Sequence, residues 1–92
     1  LMKLNDNTEA KRILSELYTD INNNKEIDKN DYSKDFVLKT YNLLDKNYSE
    51  TYLFGRLRDD RQVQSVLKHM DNGSEYQESI DQLSRNLGYA VN

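Results

Sequence analysis

Between Ala10 and Ile21 the apolar side chains fall at positions 10, 13, 14, 17, 18 and 21, with polar residues between them. Steps of three and four residues lay such a set along one face of a helix with 3.6 residues per turn. Comparable stripes follow at 37, 41, 44 and 48, and again at 76, 80, 83 and 87. With no sheet pattern to pack on, these stripes can be buried only against one another. The pattern therefore predicts an all-α chain, a helix bundle in a single domain over residues 1–92, in which short loops favour antiparallel neighbours. The expected helices span about 7–22, 31–46, 50–70 and 74–87.

Local signals set those boundaries. Asp6 and Glu9 read as a capping box at the first helix. Asn22-Asn23-Asn24 offers side chains that compete for backbone hydrogen bonds and should end it. Residues 23–31 form a polar connector in which Ile27 is the one apolar residue. In the second helix Val37, Tyr41, Leu44 and Tyr48 form the stripe, flanked by Phe36 and Leu38. Ser49 is the expected N-cap of the third helix, with Glu50 in its first turn.

The third segment carries two faces. Leu53, Phe54 and Leu57 share one, while Val63, Val66, Leu67 and Met70 share another, and at 100° per residue these differ by about 130°. The polar run Arg58–Gln62 separates them, so a kink, a break or two short helices is expected there. Gly55 weakens this helix and marks a place where another backbone can approach closely. Asp71-Asn72-Gly73 is a turn, Ser74 with Gln77 a capping box, and Gly88 a C-terminal stop. Tyr89, Ala90 and Val91 either fold back or fray.

Composition narrows the class. Leu, Ile, Val and Phe make up roughly a quarter of the chain, above the ~20% at which disorder sets in. The absence of Pro removes the strongest helix breaker. The absence of Cys excludes disulfides, thiolate metal sites and Cys catalysis, and fits a cytoplasmic setting. No apolar run approaches the ~18 residues of a membrane span, and Leu4 opens no signal-peptide core. Leu1 before Met2 suggests Met2 as the natural start. The net charge of -3, mixed in sign along the chain, opposes binding to duplex nucleic acid.

Candidate chemistry is sparse. Asp20, Asn22, Asn24, Ile27 and Asp31 match part of a calcium-loop pattern between two helices. Lys25 stands where that loop needs Gly, and Asp31 is a shorter arm than the usual Glu, so a polar connector is expected instead. His69 is the single His and makes neither a catalytic dyad nor a metal site unaided. Asp59 and Asp60 project about 100° apart on a helix, which suits acid–base work poorly. Arg56, Arg58 and Arg61 form a basic cluster that the same two carboxylates neutralise, or else a contact for acidic loops or lipid headgroups. Among the seven tyrosines, Tyr18, Tyr41 and Tyr76 are expected in the core, whereas Tyr32, Tyr52 and Tyr89 lie off the strongest stripes. No nucleophile has a base at credible spacing and no Gly-rich phosphate loop exists, so neither an enzyme nor a cofactor or metal is expected.

The run Ala10-Lys11-x-Ile13-x-x-Glu16-Leu17-Tyr18-x-Asp20-Ile21 resembles the first helix of the pediocin-like (class IIa) bacteriocin immunity proteins, in particular the enterocin A immunity group. Leu53-x-x-Arg56-Leu57 is similar to that group's third helix, and Tyr76-Gln77-Glu78 to the start of its fourth. The resemblance implies a left-handed antiparallel four-helix bundle acting in the cytoplasm of a lactic acid bacterium or a relative. It implies protection of the producing cell from its own pore-forming peptide. The implied partner is the toxin's receptor, the membrane part of a mannose phosphotransferase permease, once the peptide has engaged it. In that family the C-terminal half carries the choice of toxin. The expected contact surface is therefore the hairpin of the third and fourth helices: His69, Asp71, Asn72, Gly73 and Glu75 at its turn, with Arg85 and Tyr89 at the other end. Two rival readings are a small helical protein-binding regulator or inhibitor from a mobile element and, more distantly, a single EF-hand-like calcium module.

Overall fold

The α1 stripe folds as its spacing dictates: Ala10, Ile13, Leu14, Leu17 and Ile21 are all buried, while Tyr18 is half-buried at the edge. Each fully buried Leu or Ile contributes about 1.5–3 kcal/mol relative to exposure, enough to fix which face of the helix turns inward. The computed structural model describes residues 7–85. It is all-helical, with five helices: α1 (Thr8–Asn23), α2 (Ser33–Leu44), α3 (Glu50–Asp59), α4 (Arg61–Lys68) and α5 (Gly73–Ser84). No strand occurs among the described residues, and none of the described helices is long and apolar enough to cross a membrane.

The molecule is elongated, 45 × 21 × 17 Å. Helix α1 lies along α2, α3 lies along α5, and α4 packs on the first part of α5. One continuous core joins them, with Phe54, Leu14, Leu17, Leu53, Leu57 and Ile80 its largest fully buried side chains.

Helices α3 and α4 are separate elements that meet at one residue within the polar run 58–62. Asp60 is extended (φ -82°, ψ 123°), closes α3 and opens α4. Its carboxylate accepts from Val63 N–H at 2.9 Å and from the Tyr32 hydroxyl at 2.9 Å. The backbone turn lets Leu53, Phe54 and Leu57 reach the core beside Val63, Val66 and Leu67, which a straight helix could not do. Ser49 caps α3 as expected, accepting from Tyr52 N–H at 3.0 Å.

Several local expectations are corrected. Asn7, in a left-handed conformation (φ 59°), starts α1 without a side-chain cap; Asp6 lies outside the described residues, and Glu9 instead pairs with Arg12 at 2.6 Å. Helix α2 is shorter than 31–46, because Asn47 takes a left-handed turn (φ 70°) soon after it. It buries Ser33, Val37, Thr40 and Leu44 rather than the 37, 41, 44 and 48 set. Thr40 satisfies its hydroxyl on the Phe36 carbonyl at 2.8 Å, Tyr41 is half-buried, and Tyr48 is 46% exposed. Asn72, not Ser74, stands at the N-terminus of α5, and it makes no side-chain cap bond there. That helix ends at Ser84, short of the expected 87; Leu87, Gly88, Tyr89, Ala90 and Val91 lie outside the described residues.

Candidate functional site

The α4–α5 turn brings together most of the residues expected to meet a partner. His69 ends α4, and its exposed ring places Nδ1 2.8 Å from the Ser65 carbonyl. A carbonyl only accepts, so Nδ1 carries the proton of this hydrogen bond. Met70 is buried and anchors the turn in the core, leaving Asp71 and Glu75 exposed on either side. Asn72 is half-buried, and its amide donates to the Asp20 carboxylate at 3.1 Å.

Asp20 is the polar centre of this end of the molecule. It accepts from Asn72 and also from the Tyr76 hydroxyl, tying α1 to the start of α5. Burial, with the hydrogen bond to this carboxylate, pushes the Tyr76 phenol well above its ordinary value. Tyr76 is thus a core tyrosine with its hydroxyl at the rim, as its place on the stripe suggests.

Gly73 is set apart from its exposed neighbours in the turn. It is buried, and a Cβ there would lie 1.8 Å from the Leu67 carbonyl oxygen. The close backbone approach expected at Gly55 occurs at Gly73 instead. At Gly55 a Cβ would meet nothing nearer than the Arg58 guanidinium at 3.8 Å. Arg85 is exposed beyond the far end of α5, paired loosely with Asp81 at 3.8 Å. Twelve helical residues separate it from the turn, about 18 Å at 1.5 Å per residue, so the two ends form separate patches. Tyr89 lies outside the described residues.

The calcium-loop residues do not converge. Asp20 faces α5, whereas Asp31 accepts from Ser33 N–H at 2.8 Å, from the Ser33 hydroxyl and from the Gln62 amide. Burial works to raise the Asp31 pKa, but these bonds from Ser33 and Gln62 outweigh it and hold the carboxyl below its ordinary value. Asn24 accepts from Glu26 N–H at 2.9 Å in a local turn. Among the described residues no three His, Asp or Glu side chains are grouped to hold a metal ion.

A second surface emerges that no single stretch of sequence contains. A cleft of about 550 Å³ is lined by Phe36 of α2, by Thr51, Tyr52, Gly55, Arg56, Arg58 and Asp59 of α3, by Asp60 after it, and by Ser84 at the end of α5. Arg58 is committed there, to Asp59 at 2.9 Å and to the Ser84 hydroxyl at 3.1 Å. That ion pair raises the Arg58 pKa and lowers that of Asp59. Arg56 lies with its guanidinium carbon 5.2 Å from the centre of the Phe36 ring. Tyr52 is 53% exposed and stacks on Tyr48 at 6.2 Å. The basic cluster and the exposed tyrosines were each visible as isolated residues. Their joining into one concavity depends on α2, α3 and α5 meeting.

Comparison of the chain with protein-family models, with curated proteins and with solved structures found no match.

Proposed function

We propose that this chain is an immunity protein against a pediocin-like pore-forming peptide, acting by binding rather than by catalysis. In this reading α3 and α4 together form the third member of an antiparallel four-helix bundle, and the protein works in the cytoplasm. It engages the membrane part of a mannose phosphotransferase permease that carries bound toxin, without itself spanning the bilayer. The observation that carries the reading is the ordered set of motif residues on α1, α3 and α5. The α1 motif supplies its buried stripe and the α1–α5 tie through Asp20. In the α3 motif Leu53 and Leu57 are buried while Arg56 faces out. The α4–α5 turn offers His69, Asp71 and Glu75 to a partner, with Asn72 held in place behind them.

Expression of the chain in a strain sensitive to pediocin-like peptides tests the proposal. The expected result is a loss of potency for at least one peptide of that class and none for unrelated pore formers. Unchanged potency across the class refutes it. Exchanging residues 47–92 with those of an immunity protein of different specificity should exchange the peptide tolerated; retained specificity would refute the role given to the hairpin.

A further inference from the structure

We propose that Asn72-Gly73 is a covalent modification site, a deamidation point that the folded chain holds shut and that opens when the α4–α5 turn comes apart. Nothing in it depends on the immunity reading.

The chemistry needs only these two residues and water. The Gly73 nitrogen attacks Asn72 Cγ, forming a C–N bond and closing a five-membered imide. The Cγ–Nδ2 bond breaks, and Nδ2 leaves as ammonia with the proton that Gly73 gives up. Water then adds to either carbonyl of the imide and opens it, leaving aspartate or isoaspartate at position 72. Glycine makes the ring closure easiest, because no side chain shields its nitrogen and its backbone turns freely. Asn72-Gly73 is the one Asn-Gly pair in the chain.

Three features close the site in the fold. Ring closure requires the Gly73 nitrogen to eclipse Asn72 Cβ, whereas a ψ of 25° holds it on the side of Asn72's own nitrogen. The Gly73 N–H is committed to the Met70 carbonyl at 3.1 Å, and Met70 is in the core. The amide that must leave donates to the Asp20 carboxylate at 3.1 Å. All three are released together only when the turn separates from α1, which is a local opening of the fold.

The same contacts explain why a labile pair stands here. A Cβ on residue 73 would lie 1.8 Å from the Leu67 carbonyl oxygen, so the packing calls for glycine. The Asp20 carboxylate calls for a donor at position 72. The product lacks that donor. Aspartate there sets a second carboxylate against Asp20, in a half-buried place where the Tyr76 hydroxyl donates to the same group. Isoaspartate adds a carbon to the main chain directly before buried Gly73. A chain that stays open long enough to react therefore refolds with a weaker tie between α1 and α5, and opens more readily afterwards.

The test is incubation of the full chain at neutral pH, folded and in guanidinium chloride, with peptide mass mapping that scores the gain of one mass unit at Asn72. Expected is reaction at Asn72 ahead of every other asparagine in denaturant, and at least about tenfold slower in the folded chain. Asn72→Asp, which writes the aspartate product directly, should lower the urea midpoint. Adding Asp20→Asn should recover it, because the amide and the carboxylate then exchange places. Equal rates in the two states, or reaction spread evenly over the asparagines in denaturant, overturn the proposal. So does an Asn72→Asp chain as stable as the parent, or one that Asp20→Asn fails to rescue.

Discussion

The same chemical change at two glycines should move stability in opposite directions. In Gly73→Ala the new Cβ would lie 1.8 Å from the Leu67 carbonyl oxygen and 2.8 Å from its carbonyl carbon. Both obstacles are backbone, so relief needs a shift of more than about 1 Å between the end of α4 and the start of α5. Gly73 N–H also bonds to the Met70 carbonyl at 3.1 Å, and Met70 is itself in the core, so the turn cannot move alone. A loss of about 3 kcal/mol follows, at the upper end of ordinary overpacking. For a domain of this size the whole stability is about 5–14 kcal/mol, and the melting temperature should drop by about 12–24 °C. In Gly55→Ala the Cβ meets only the Arg58 guanidinium, at an ordinary contact distance of 3.8 Å, and the helix gains about 0.5–1 kcal/mol from reduced backbone freedom in the unfolded chain. Thermal and urea unfolding followed by circular dichroism at 222 nm measures both. A Gly73→Ala chain melting within about 2 °C of the parent would refute the argument, as would a Gly55→Ala chain that is clearly less stable.

Three further outcomes follow from the polar contacts. Asp60→Ala removes the α4 cap and the Tyr32 contact together, and urea midpoints should report a loss of about 1–2 kcal/mol. Asp31 has a folded pKa below its unfolded value, so its contribution is present above about pH 4 and is lost as pH falls through the folded value. The stability gap between the parent and Asp31→Asn should therefore be widest near neutrality and shrink in acid; a constant gap would contradict this. Tyr76 has a raised folded pKa, so it stabilises the fold below about pH 10 and that contribution fades as pH climbs further. Tyr76→Phe should cost about 1 kcal/mol at neutral pH and flatten the alkaline decline, read from melting temperatures across pH 8 to 11.

The helices were legible where burial and period agree. All five buried residues of α1 stand on the stripe that spacing alone defines, because nothing but a 3.6-residue repeat brings 10, 13, 14, 17 and 21 to one side. The boundary between α3 and α4 at Asp60 falls where the apolar faces of the third segment diverge, and faces that far apart cannot both reach one core from a straight helix. Helix α2 was misread because its buried face uses Ser33 and Thr40, whose hydroxyls are satisfied by Asp31 and by the Phe36 carbonyl. A hydropathy pattern scores such residues as outward. Gly55 and Gly73 exchanged roles because the approach of Leu67 to α5 is a tertiary contact with no local signal. The turn between α4 and α5 was legible as punctuation in Asp71-Asn72-Gly73. The Phe36–Arg56–Ser84 cleft was not, since it draws on positions 48 residues apart.

The most direct measurement of the central claim is recovery of the epitope-tagged chain with the mannose permease from membranes of cells treated, or not, with a pediocin-like peptide. The account predicts that the chain is retained on the permease only after treatment with a peptide it protects against, and that charge reversal at Asp71 and Glu75 weakens the retention. Equal recovery with and without peptide, or none in either case, would contradict it.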